Sequence, residues 1–90
     1  MKESTLQSKV IKYLEEKGAY VVKVIAASKS GVPDLLVCYQ GKFLALELKA
    51  PGRLSETKPL QIYNRNRVVK SGGTAIIVDS LETVKGLFND

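Results

Sequence analysis

The stretch Gly31-Val32-Pro33-Asp34-Leu35-Leu36-Val37-Cys38-Tyr39-Gln40-Gly41-Lys42-Phe43-Leu44-Ala45-Leu46-Glu47-Leu48-Lys49 decides the fold. Two apolar runs flank Gln40-Gly41, the pattern of a β-hairpin with a two-residue loop. With that loop, facing residues have numbers that sum to 81, so Tyr39 faces Lys42, Val37 faces Leu44 and Asp34 faces Glu47. Facing side chains sit roughly 4.5–5.5 Å apart at Cβ, and like charges placed so are destabilising. At about 5 Å and an effective dielectric of about 20, two carboxylates repel by about 3 kcal/mol. A marginally stable small domain does not keep such a pair without a cation between them. Lys49 lies two residues beyond Glu47, and the strand period puts it on the same face. Two carboxylates and an ammonium therefore converge where a metal-activated water could be held.

In an arbitrary protein such a trio is more often a solvated cluster of surface ion pairs, which contributes little. Its position favours function. Glu47 follows Phe43-Leu44-Ala45-Leu46 without a break and precedes Leu48, which makes it the charged end of a strand apolar on both faces, the mark of an interior strand. Carboxylates held in such places are more often ligands or bases than decoration.

Ninety residues with 44% hydrophobic content and no low-complexity segment are expected to form one folded domain, residues 1–90, with a small but adequate core. No apolar run approaches the roughly 20 residues that span a bilayer, and Met1-Lys2-Glu3-Ser4-Thr5 lacks the apolar core of a signal peptide. The single Cys38 has no internal disulfide partner and is expected to pack as a small buried residue in its strand. These features suit a reducing, intracellular setting. The chain has no histidine, which excludes Ser-His-Asp and Cys-His catalysis. Cys/His zinc sites are excluded too, and no glycine-rich phosphate loop is present for a nucleotide cofactor. Any catalysis must come from carboxylates, lysine and a hard metal ion. The net charge of +5 favours a polyanion, nucleic acid first, as partner.

From about Glu3 to Lys17, apolar Leu6, Val10, Tyr13 and Leu14 recur at helical spacing and Gly18 supplies the stop. Ser4-Thr5-Leu6-Gln7 matches a capping box, which would leave Glu3 outside the helix. A start one residue earlier would instead put Glu3 on the stripe that faces the sheet, and spacing alone does not choose. Tyr20–Ile25 reads as the first strand. A small, polar, basic loop, Ala26-Ala27-Ser28-Lys29-Ser30-Gly31, follows; Ser28, Lys29 and Ser30 suit phosphate contacts, although plain solvation is the commoner role of such a loop. Pro33 forces Val32 into an extended conformation, so Asp34 sits at a fixed strand start. Beyond Ala50-Pro51-Gly52-Arg53 a helix is predicted from Thr57 or Lys58, with Pro59 in its first turn, to Ser71-Gly72-Gly73. Gln61 lies near its N-terminus, and Arg65 and Arg67 on its outer faces. Thr74–Val78, apolar on both sides, is predicted to be an interior strand, parallel to the third because strand, helix, strand implies a right-handed crossover. Asp79-Ser80-Leu81-Glu82 gives a capping box for a last helix to about Phe88. The predicted order is αβββαβα: an α/β fold with a mixed four-stranded sheet flanked by helices.

Gly31-Val32-Pro33-Asp34, then Glu47-Leu48-Lys49 on the next strand, with a leading helical Glu3 and a following helical Gln61, resembles the PD-(D/E)xK nucleases. More narrowly, the pattern is similar to the virus-type replication-repair nuclease (VRR-NUC) domain in its small stand-alone viral or phage form. The resemblance implies a restriction-endonuclease-like core and a Mg²⁺- or Mn²⁺-dependent endonuclease acting on DNA, selective for branched substrates such as four-way junctions and acting as a homodimer. It implies that Asp34, Glu47 and the backbone carbonyl of Leu48 hold the metal, joined by Glu3 directly or through water. Lys49 would orient the attacking water and offset charge on the phosphate, and Gln61 would hold the site or the phosphate. Lys23, Ser28, Lys29, Ser30, Gly31, Arg53 and Arg65 are the candidate DNA contacts. The alternative is a nucleic-acid-binding module that keeps the fold but does not cut.

Overall fold

The chain, in a computed structural model that describes residues 1–88, runs α1 (Glu3–Glu16), β1 (Tyr20–Lys23), β2 (Leu35–Tyr39), β3 (Lys42–Leu48), a 3-10 turn (Leu54–Glu56), α2 (Pro59–Lys70), β4 (Thr74–Val78) and α3 (Leu81–Gly86). The sheet has the order β1-β2-β3-β4. β1, β2 and β3 pair antiparallel, and β4 joins β3 in parallel through the α2 crossover. This is the α/β architecture expected from the sequence. The hairpin register is also as expected, from Tyr39↔Lys42 to Leu35↔Leu46. Gln40 and Gly41 both have positive φ, 47° and 79°, the signature of a type I′ turn whose twist matches that of the strands.

Alternation along the strands divides the side chains between two faces. Leu35, Val37, Leu44, Leu46, Leu48 and Val78 meet Leu6, Val10 and Leu14 of α1 and Val84 of α3 to form the core. The other face carries Asp34, Leu36, Ala45, Glu47 and Lys49, and α2 lies over its β3–β4 half. α2 itself has no buried residue. One face of the sheet is therefore a packed core and the other is a half-covered working surface.

Several details differ from expectation. β4 is an edge strand, not an interior one; its apolar residues on both sides reflect helices over both faces rather than strands on both flanks. β1 ends at Lys23, and Ile25 is 88% exposed in the following loop. Cys38 is exposed rather than buried, because it pairs with exposed Tyr20 on the half of the sheet that α2 leaves bare. A short 3-10 turn, Leu54–Glu56, intervenes where the sequence predicts only a break between β3 and α2. α1 starts at Glu3 with Lys2 as its N-cap, and no side chain caps it. Ser80, not Asp79, caps α3, accepting from the Thr83 N–H at 3.2 Å. Asp79 instead accepts from the Gly52 N–H at 2.9 Å, pinning the loop after β3 to the end of β4.

Candidate active site

Asp34 lies one residue beyond the last β2–β3 pair, and the register carries it opposite Glu47. Pro33 before it is buried and has no N–H to place in the ladder. The Asp34 carbonyl accepts from the Val24 N–H at 2.9 Å, which ties its backbone to the loop after β1. Its side chain accepts from the Leu48 N–H at 2.8 Å, a bond that replaces the next ladder rung. Asp34 is thus held from both sides.

Glu47 and Lys49 are the buried charged residues among those described, 6% and 8% exposed. Their closest approach, Lys49 Nζ to Glu47 Oε2, is 3.8 Å, an ion pair but too long for a hydrogen bond. Gln61 reaches the same carboxyl from above: its Nε2 donates to Glu47 Oε2 at 3.0 Å. The Gln61 Oε1 accepts from the Lys58 N–H at 2.9 Å. That second bond uses one of the free N–H groups of the α2 N-terminus and fixes the amide so that its NH₂ group aims at the carboxyl. Pro59 at the first turn sets where this end begins.

The Glu47 carboxyl is raised from 4.5 to about 8. Burial is the largest cause, since it removes the water that would solvate the anion. The charge of Asp34 comes next, then a hydrogen bond between the two carboxyl groups that favours the protonated form. Lys49 opposes these effects and Glu3 adds a weaker push upward. In the absence of a metal ion, Glu47 is therefore biased toward its protonated form at neutral pH. One lysine 3.8 Å away does not neutralise the pair, so the repulsion expected from the register is present. Two facing carboxyl groups, one buried and one half-buried, without a cation close enough to neutralise them are a donor set suited to a hard divalent ion. Among the described residues no three His, Cys, Asp or Glu side chains come together. An ion here would complete its shell from a main-chain carbonyl and water.

Glu3 lies in the first turn of α1, exposed, and acts on Glu47 only at a distance rather than joining the carboxyl pair. Arg53 is ion-paired with Glu56 at 2.9 Å. Lys23 pairs with Leu35, whose side chain belongs to the core face, so the register sets Lys23 on the side opposite Glu47. Arg65 lies beside Ile62 and Ile77 on the β4 flank of α2. Ser28, Lys29 and Ser30 are exposed on the loop beside the site, where Gly31 closes on α2.

Sequence reading missed Asn64. Its Nδ2 donates to the Ser30 carbonyl at 3.0 Å and to the Leu60 carbonyl at 2.9 Å, clamping the basic loop to α2. The available signal was its place three residues after Gln61, on the same side of the helix. Gly31 completes the clamp at φ 75°, and a Cβ there would lie 2.8 Å from Leu60 Cγ. Gly31→Ala is expected to destabilise the fold by about 1–3 kcal/mol, from left-handed backbone strain and this clash together, measured by urea melting against wild type.

The family model described as archaeal Holliday junction resolvase (Hjc) matches residues 2–73. The chain belongs to this Hjc resolvase family. Among solved structures, one described as a VRR_NUC domain is 29% identical, with a TM-score of 0.82, covering 96% of this chain and 92% of that one. A second, a VRR_NUC domain protein, is 21% identical with a TM-score of 0.77, covering 98% and 85%, and shows the shared fold. Comparison with curated protein sequences found no match. The chain is a VRR-NUC-like nuclease domain of the PD-(D/E)xK kind, as its motifs suggested. Within this resolvase family, the hairpin end with Asp34, Glu47 and Lys49 stands as the candidate nuclease centre.

Proposed function

We propose that this Hjc-family protein is a Mg²⁺- or Mn²⁺-dependent endonuclease that hydrolyses phosphodiester bonds in branched DNA, four-way junctions included, as a homodimer. The observation that carries the reading is geometric: the hairpin register sets Asp34 opposite buried Glu47, with buried Lys49 3.8 Å from the Glu47 carboxyl. The family name supports junction DNA as substrate, and the net charge of +5 supports a polyanion. Two sites related by a twofold axis suit a substrate with twofold symmetry.

In this reading Asp34, Glu47 and the Leu48 carbonyl would hold the ion. When bound, it supplies Lewis-acid polarisation of the phosphate and a lowered pKa for water. Glu47 would hold it as the ionised carboxylate. Gln61 holds the Glu47 carboxyl in place through the α2 N-terminus, so the ligand does not swing toward solvent. Lys49, buried on the same face, orients the attacking water and offsets the charge that grows on the phosphate oxygens. Glu3 adds negative potential that favours a cation.

A panel of single-stranded, flap, splayed and four-way-junction DNA, with Mg²⁺, Mn²⁺ or EDTA, tests this reading alongside a measured solution mass. Paired nicks in junctions, dependent on the metal, from a particle of twice the chain mass are expected. Binding without cleavage under every metal condition would establish the non-cleaving alternative.

A further inference from the structure

A separate concavity of about 880 Å³ lies between α2 and the sheet. It exists because α2 packs on β3 and β4 and leaves the β1–β2 half of that face bare. Val24, Pro33, Leu36 and Phe43 line it from the sheet side, and Phe43 is 45% exposed. The Phe43 ring and Val68 lie close over Gly73, where an added Cβ would lie 3.0 Å from Phe43 Cδ2 and 2.9 Å from Val68 Cγ1. Lys29, Lys42 and Arg67 are the charged residues around it, and among the described residues no carboxylate lines it.

An apolar floor with an exposed aromatic ring, whose charged neighbours are all cations and whose other polar neighbours are neutral, has the chemistry of a site for one unpaired nucleotide. The base stacks on the ring and the phosphate meets the cations. A second copy of the chain is a poor occupant, because a twofold contact would set Lys29, Lys42 and Arg67 near their own counterparts with no acid between them. An intact duplex does not fit either, since its bases are stacked and cannot be lowered onto Phe43. Pro33, next to Asp34, lines one end of the groove, while Phe43 lies four residues along β3 from Glu47, roughly 13 Å, so a base on Phe43 sits a short run of strand away from the nuclease centre.

We infer that this groove holds an unpaired nucleotide of the DNA, with its base against Phe43 and its phosphate near Lys29 and Arg67, and that the protein thereby favours branch points with unpaired nucleotides, as in flaps and splayed arms, over continuous duplex. The inference rests on the nuclease reading only in taking DNA as the ligand. Binding is therefore measured in EDTA, where nothing is cut, by fluorescence anisotropy of a single strand of about eight nucleotides and of the matching duplex. Phe43→Leu keeps an apolar side chain without the ring. It is expected to weaken single-strand binding by about tenfold and to leave duplex binding unchanged. Arg67→Gln is expected to lower the salt dependence of single-strand binding by close to one counterion. Equal loss on both DNA forms, or no loss in either variant, overturns the inference. A Phe43→Leu change that alters solution mass instead assigns the groove to a second copy, and also overturns it. If ring-dependent binding is present but no substrate is cut in Mg²⁺, the nuclease reading fails and the groove assignment stands.

Discussion

Asp34→Asn is expected to reduce Mg²⁺-dependent nicking of supercoiled plasmid by at least about 100-fold, since even changes to groups that merely support a metal ligand cost about 10–100-fold. The substitution isolates charge from structure. Asn keeps the size of Asp34 and an oxygen to accept the Leu48 N–H that closes the hairpin end, so the fold should survive. What disappears is one of the two anions that hold the ion. Removing that charge also relieves the largest electrostatic pressure on Glu47, so the metal-free variant is expected to melt no lower than wild type. Loss of activity with retained stability is the pattern of a ligand. Activity that persists in Asp34→Asn would sink the site assignment, and loss of both together would make Asp34 a structural residue.

The second large effect concerns pH in the absence of metal. The Glu47 carboxyl is raised from 4.5 to about 8 in the folded protein. Between those values the unfolded chain releases the proton and the folded chain keeps it, so stability falls as pH rises. The contribution is fully present below about pH 4.5 and is lost as pH passes through about 8. Each pH unit in that window is worth up to about 1.4 kcal/mol, so Tm in EDTA is expected to fall by roughly 10 °C or more between about pH 5 and pH 8. Glu47→Gln, which cannot ionise, should show a flatter profile over the same range. Divalent ions reverse the trend, because they bind the carboxylate and displace the proton. The rise in Tm with millimolar Mn²⁺ is therefore expected to be larger at pH 8 than at pH 5 and absent in Glu47→Gln. Parallel pH profiles for wild type and Glu47→Gln would show that Glu47 is not the titrating group.

Much of this was legible in the chain because strand geometry is a counting rule. A two-residue Gln40-Gly41 loop fixes the hairpin register, and the register alone brings Asp34 opposite Glu47 and sets Lys49 on the same face. Helix α1 and the parallel β3–β4 pair were readable for the same reason, through spacing and the handedness of the crossover. The reading of Thr74–Val78 as interior failed because an apolar run reports only that both faces are covered. A helix covers a face as well as a neighbouring strand excludes an edge, and here α2 and α3 do the covering. Cys38 failed through the same gap. Its strand reads as apolar, but α2 does not extend over β1 and β2.

The sequence by itself determined the hairpin, its register and so the meeting of two carboxyl groups with a lysine, because these depend on neighbours within a few residues of one turn. The tertiary structure decided everything that depends on where α2 lies. It aims the Gln61 amide at Glu47 and ties the basic loop down through Asn64 and Gly31. It also leaves the groove beside Phe43 open. No local pattern encodes how far one helix reaches across a sheet; the packing of whole elements sets it, and the burial that raises Glu47 follows from that packing.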